Sequence, residues 1–245
     1  MPAHYPRPPI TESVIAFDFA NAIGRESVQK AIDRLKKRYE FADEETTTEI
    51  TVDTITGNSK VVRTWAGARL SSRDRAEVAL CRPSQFVCSR LAPYTTWENF
   101  RDRAQDEWKI WKSAVGPVEV RRIGLRYVNR IDVPGAAFEV GLRTEDYLNF
   151  APRLPEGPDV HISGYAMQVV RPLGTDSLKL IINSATLPSP LVGYGSLGLD
   201  IDVFRDEGVP RRDDEIWSLF EKMRIQKNLI FESCITDRAR ELFKK

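Results

Sequence analysis

Three arginines spaced four residues apart carry the clearest chemical potential in this sequence. Arg122, Arg126 and Arg130 stand in residues 121–133, RRIGLRYVNRIDV. The segment reads as a β-strand with two different faces. Side chains alternate across a strand, so Ile123, Leu125, Tyr127, Ile131 and Val133 share one side, and the three arginines share the other with Gly124 and Asp132. Successive arginines then lie roughly 13 Å apart along an extended basic track. A guanidinium is a planar fork that donates paired hydrogen bonds to phosphate or carboxylate. Such a track either binds an anion or is neutralised by carboxylates of neighbouring strands.

The candidates for neutralisation are Asp200 and Asp202. A strand over residues 197–204 places Leu197, Leu199, Ile201 and Val203 on one face and Gly198, Asp200 and Asp202 on the other. If both strands turn their apolar faces to helices, the two aspartates share the polar face with the arginines and meet Arg126 or Arg130. Arg122, Arg126, Arg130, Asp200 and Asp202 are therefore the candidate binding residues. Two carboxylates at i and i+2 also have the chemistry to hold Mg²⁺ for phosphoryl transfer. A tunnel-type triphosphate hydrolase combines acids and bases inside a sheet in this way, but its E-x-E-x-K pattern near the amino terminus is absent. No residue is assigned as catalytic, none as a metal ligand, and no cofactor is expected.

The remaining reactive residue types are few. His4 and His161 are the two histidines, too few for a His-rich zinc site. His4 falls in an amino-terminal arm, and a nucleophile–histidine site has only His161 to use. Cys81, Cys88 and Cys234 show no metal spacing. Gly193, Gly195 and Gly198 precede a strand instead of opening a helix, so they read as a place of close backbone approach and not as a phosphate cradle. Trp97, Trp108 and Trp111 have helical spacing and read as core. Asn129 and Tyr127 fall on the apolar side of the arginine strand, where a buried amide must find hydrogen-bond partners that tie strand or helix ends.

The totals narrow the class. The chain has 245 residues, 42% of them hydrophobic and 29% charged, which suits one large globular domain or two small ones sharing a core. Lys plus Arg number 36 against 35 acids, unlike the basic balance of a general nucleic-acid binder. No apolar run approaches the roughly 18–20 residues of a membrane span. An odd cysteine count and no signal-peptide pattern predict reduced thiols in a cytoplasm.

The elements that must position these residues repeat in order. A proline-bearing arm over residues 1–9 enters a strand over Ile10–Phe19, a helix over 26–39, strands over 46–56, 60–70 and 76–91 with a bulge or break at Pro83, and a helix beginning near Thr95, which has capping-box spacing to Glu98. Gly116-Pro117 ends that helix. Then come a strand over 118–133, a short helix over 144–150, a stiff loop with Pro152, Pro155 and Pro158, strands over 161–170, 178–185 and 197–204, and a helix from Asp213 with Ile216, Leu219, Phe220, Met223, Ile230 and Cys234 inward. A last helical turn covers 236–243. Each half reads strand, helix, three strands, helix, giving repeats over 1–117 and 118–245. The expected class is α+β, a duplicated unit forming a mostly antiparallel curved sheet with helices on one face, of helix-grip or TATA-binding-protein-like type.

Several segments together resemble a family of uncharacterised, sporadically distributed prokaryotic proteins. They are Pro8-Pro9-Ile10 with Glu12, Tyr94 through Trp97 with Phe100, the strand from Arg122 to Ile131, Asp200-Ile201-Asp202, and the closing Lys227-Asn228, Phe231-Glu232 and Ile235-Thr236. The resemblance spans nearly the whole chain and implies no particular activity. The patchy distribution of that family resembles the distribution of mobile defence or toxin–antitoxin genes. The leading expectation is a cytoplasmic, non-enzymatic binding protein acting through a protein partner. The alternatives are an anion or nucleic-acid binder using the arginine track, with phosphate as the ligand group, and a metal-dependent phosphohydrolase. A homodimer is compatible with each.

Overall fold

A computed structural model describes residues 5–52, 54, 57–135, 143–152 and 164–244. The protein is α+β; the described residues form a nine-stranded sheet and four α-helices, and every ladder whose register is defined runs antiparallel. Two compact units divide the chain. The first comprises Ile15–Leu91 and Thr95–Arg122, the second Met1–Val14, Ala92–Tyr94 and Ile123–Lys245. Among the described residues, no helix is long and apolar enough to cross a membrane.

In the first unit, β1 (Ile10–Phe19) supplies its second half, followed by α1 (Arg25–Leu35), a 3-10 turn (Lys36–Arg38), β2 (Phe41–Val52), β3 (Ser59–Ser71), β4 (Glu77–Arg82), β5 (Gln85–Leu91) and α2 (Trp97–Val115). The strands β2 to β5 are hydrogen-bonded in sequence order. Alternation puts Ile15, Phe17 and Phe19 of β1 inward, and the helical period of α2 brings Phe100, Ala104, Trp108 and Trp111 to meet them. Phe17 stacks on Trp108 with centroids 4.0 Å apart and planes 3° from parallel. The tryptophan stripe is therefore core, as its spacing predicts. Beside it lies a buried polar cluster that the sequence reading missed. Tyr39 donates a 2.6 Å hydrogen bond to Glu107, and Arg103 donates to the Tyr39 hydroxyl at 2.8 Å and to the Ser89 carbonyl at 2.6 Å. Burial pushes the neighbouring Cys81 and Cys88 thiols well up, so both are poor nucleophiles.

The second unit contains the first half of β1, then β6 (Val120–Pro134) from Ile123 onward, β7 (Ala166–Pro172), β8 (Lys179–Leu187), β9 (Tyr194–Arg205), α3 (Asp213–Cys234) and α4 (Asp237–Phe243). Its four later strands run in the order β6-β9-β8-β7. The helix α3 packs against β9 and buries Ile216, Leu219, Phe220, Met223, Ile230 and Cys234, the stripe expected from sequence. The amino-terminal segment is seated here. The Tyr5 hydroxyl donates to both Glu232 oxygens at 2.9 and 3.0 Å, and its ring packs edge-on against Phe243. The Arg7 N–H donates to the Phe243 carbonyl at 3.1 Å, and the Arg130 N–H to the Pro9 carbonyl at 2.8 Å.

Several boundaries differ from the sequence reading for identifiable reasons. The strand β2 begins at Phe41, so the acids 43–45 lie within it. They are tolerated because β2 is an edge strand whose side chains are mostly exposed, and Asp43, Glu44 and Glu45 each also meet an arginine, from Arg75, Arg25 and Arg82. Residues 76–91 form two strands, not one, because Pro83 and Ser84 make a tight turn between Arg82 and Gln85. The helix α2 is capped by Thr96 and not by Thr95; the Thr96 hydroxyl accepts from the Asn99 N–H. Residues 144–150 form only a 3-10 turn at Thr144–Asp146. His4, His161, Pro155 and Pro158 lie outside the described residues.

Candidate functional site

The arginine strand folds as its alternation predicts. Ile123, Leu125, Tyr127, Ile131 and Val133 of β6 are buried, together with Asn129. The Asn129 side chain donates to the Leu199 carbonyl at 2.9 Å, which fastens β6 to β9. Arg126 and Arg130 lie on the opposite face of the second unit, and Arg122 lies in the first.

Each arginine meets its own carboxylate. Arg122 faces Asp18 at 3.3 Å, within the first unit. Arg126 makes a bidentate pair with Asp200: Nε donates to Oδ1 and Nη2 to Oδ2, both at 2.8 Å. These bonds push the Arg126 guanidinium still higher than its ordinary range. Arg130 is paired within its own strand. Its Nε donates to the two oxygens of Asp132 at 3.1 and 3.2 Å, and Asp132 also accepts from Ser196. The expected pairing with β9 therefore holds for Arg126, whereas Arg130 takes Asp132, two residues away on the same face. Asp202 stands opposite Arg126 in the ladder register.

Asp200 is the centre of a longer row. Asn183 of β8 donates to Asp200 Oδ2 at 2.9 Å, and Gln168 of β7 donates to Asn183 Oδ1 at 2.7 Å. Gln168, Asn183, Asp200 and Arg126 thus form one hydrogen-bonded line across four strands. The ladder register places Ile181 and Val170 beside it on the same face. Both Asp200 oxygens are occupied by nitrogen donors, so a cation at this carboxylate would have to displace Arg126 or Asn183. Among the described residues, no group of three His, Cys, Asp or Glu side chains is placed to hold a metal ion.

Two features escaped the sequence reading. Lys227 of α3 is buried, with its ammonium 3.8 Å from the centre of the Tyr127 ring. Tyr127 in turn shares a 2.9 Å hydrogen bond with the Tyr94 hydroxyl. Burial, then the nearby Arg224 charge, pushes the Lys227 ammonium down to about 7. The signal was present in the sequence, because position 227 lies four residues after Met223 and three before Ile230 on the apolar stripe. The second feature is a cleft of about 280 Å³ walled by Pro8, Pro9, Leu242 and Phe243, in which Arg7 joins Arg130 and Asp132. It brings together two segments on which the family resemblance rests, Pro8-Pro9-Ile10 and the strand through Arg130. No local pattern announces it, since it exists only once the amino-terminal segment lies against α4.

No family model matches the chain, and no curated protein matches it. Among solved structures the chain is similar to Methanococcus jannaschii TBP, with 12% identity over 92% of this chain and 99% of that one and a TM-score of 0.31.

Proposed function

We propose that the protein is a non-enzymatic binding protein that acts through a protein partner. The observation that supports this most is the Gln168–Asn183–Asp200–Arg126 row. Its polar groups are oriented by one another, its charges cancel, and apolar Ile181 and Val170 flank it. A face of this composition, with ordered donors and acceptors among apolar side chains and an arginine at its edge, has the make-up of a protein interface. The patchy distribution of the family the chain resembles is the only support for a defence or toxin–antitoxin setting.

The alternatives draw less support. A nucleic-acid or phosphate ligand on the track would compete with Asp18, Asp200 and Asp132 for Arg122, Arg126 and Arg130. A phosphohydrolase metal at Asp200 would compete with two nitrogen donors already in place.

The test is recovery of the tagged full-length chain from its native cells, followed by native mass spectrometry and an absorbance ratio for nucleic acid. A protein at fixed stoichiometry, lost on Gln168→Ala plus Arg126→Ala in a variant that still unfolds cooperatively, supports the reading. A bare chain under several lysis conditions, or a nucleic acid in place of a protein, counts against it.

A further inference from the structure

The cleft at Arg7 holds cationic hydrogen-bond donors without acceptors. Arg130 spends only its Nε on Asp132, and among the described residues neither of its terminal nitrogens has a partner. The Arg7 guanidinium likewise makes no ion pair or side-chain hydrogen bond among the described residues, while its backbone holds it to α4. We propose that this cleft binds a small organic monocarboxylate with an apolar stem.

The chemistry follows from what lines the space. Two guanidinium groups and one carboxylate, Asp132, leave one net positive charge. A singly charged anion balances it, whereas a phosphate dianion overshoots by one charge and meets about twice the repulsion from Asp132. The planar fork of Arg130 presents its outer edge to a carboxylate. Pro8 and Pro9 have no N–H to offer, and together with Leu242 and Phe243 they give a hydrocarbon wall that suits a stem and not a second polar group. A volume of about 280 Å³ lies just below the usual range of ligand pockets, so the ligand is a small one.

A larger cleft of about 660 Å³ in the first unit, beside Glu45, Thr46 and Arg82, lacks this property. There Glu45 closes Arg82 with bonds of 2.7 and 3.0 Å. The proposal for the Arg7 cleft does not depend on a protein partner, nor on Arg122 and Arg126.

The test uses the purified full-length chain and ligand-observed NMR with sodium hexanoate, hexyl phosphate at pH 8 and hexylamine as probes. The expected result is saturable binding of hexanoate, weaker binding of hexyl phosphate and none of hexylamine. Arg7→Ala should weaken hexanoate by about tenfold, the loss of a charge-assisted hydrogen bond. Arg7 is exposed and its backbone bond survives the change, so the variant should unfold at the wild-type temperature. No saturable hexanoate binding at millimolar concentration overturns the proposal. So does binding unchanged in a folded Arg7→Ala variant, or tighter binding of hexyl phosphate or hexylamine.

Discussion

The Lys227 ammonium lies against the face of the Tyr127 ring, 3.8 Å from its centre, in the buried interior of the second unit. A cation held in this way gains from the ring quadrupole but loses its hydration, and the loss is the larger effect. Its folded-state value, about 7, lies below the ordinary 10.5 of a lysine. Between those two values the unfolded chain binds a proton that the folded chain releases. Stability should therefore rise as pH increases from about 7 towards 10.5, and the full cost of the buried charge should be present below 7. Lys227→Met, which keeps the stem, is expected to raise stability at pH 7 by about 2 kcal/mol and to remove most of that slope. Urea midpoints at pH 7 and pH 9.5 for both proteins measure it; an equal slope in the variant would contradict the burial argument.

The Arg126–Asp200 pair should be worth little alone and more within its row. Arg126 is half exposed, and water screens its charge. Arg126→Ala should cost about 1 kcal/mol. Asp200→Ala should cost more, about 2 kcal/mol, because it also strips the acceptor from Asn183. A double-mutant cycle by chemical denaturation should return a coupling of about 0.5–1 kcal/mol.

Two glycines should respond differently to alanine. Gly67 sits in a bulge, where β2 pairs Glu45 with Gly67 and Thr46 with Trp65, leaving Ala66 over. Its φ is +135°, and a Cβ there would run into the Cys81 carbonyl oxygen. Gly67→Ala should cost about 3 kcal/mol or more, with loss of soluble folded protein as the extreme result. Gly116, at φ +81° and ψ −164°, has open space around it but a backbone conformation that essentially only glycine adopts, so Gly116→Ala should cost the backbone strain alone, about 2 kcal/mol. Thermal unfolding of both variants separates a steric clash from conformational strain.

The cap of α2 gives a paired test. Thr96→Ala removes the acceptor of the Asn99 N–H and should cost about 1 kcal/mol, while Thr95→Ala should stay within about 0.5 kcal/mol of wild type. Equal losses would put the helix start elsewhere.

These differences show what local pattern reveals. Strand β6 and the stripe of α3 were legible because period-two and helical-period apolar residues report one buried face directly. The Arg126–Asp200 pair followed from the same logic applied to two strands. Arg130 went to Asp132 because a residue two positions along shares its face without any ladder having to form, which a search for partners on other strands overlooks. The acids of β2 hid its start, since their arginine partners lie on separate elements. Lys227 was hidden by its charge, although its position on α3 marked it as inward. Arg7 had no signal at all, because Arg130, Asp132, Leu242 and Phe243, which complete its surroundings, are more than a hundred positions away.

The seat of Tyr5 on Glu232 joins residues 227 positions apart, and Arg7 reaches Phe243 at the opposite end of the chain. On a ribosome Tyr5 emerges well before its partner. At about 5–20 residues per second, Tyr5 waits roughly ten to forty-five seconds for Glu232 to be made. Through that interval the segment carries an aromatic ring with no helix to rest on. The second unit is thus closed only once α3 and α4 have been made, and a chain cut short before α4 leaves Arg7 without its backbone acceptor and the Tyr5 ring without Phe243.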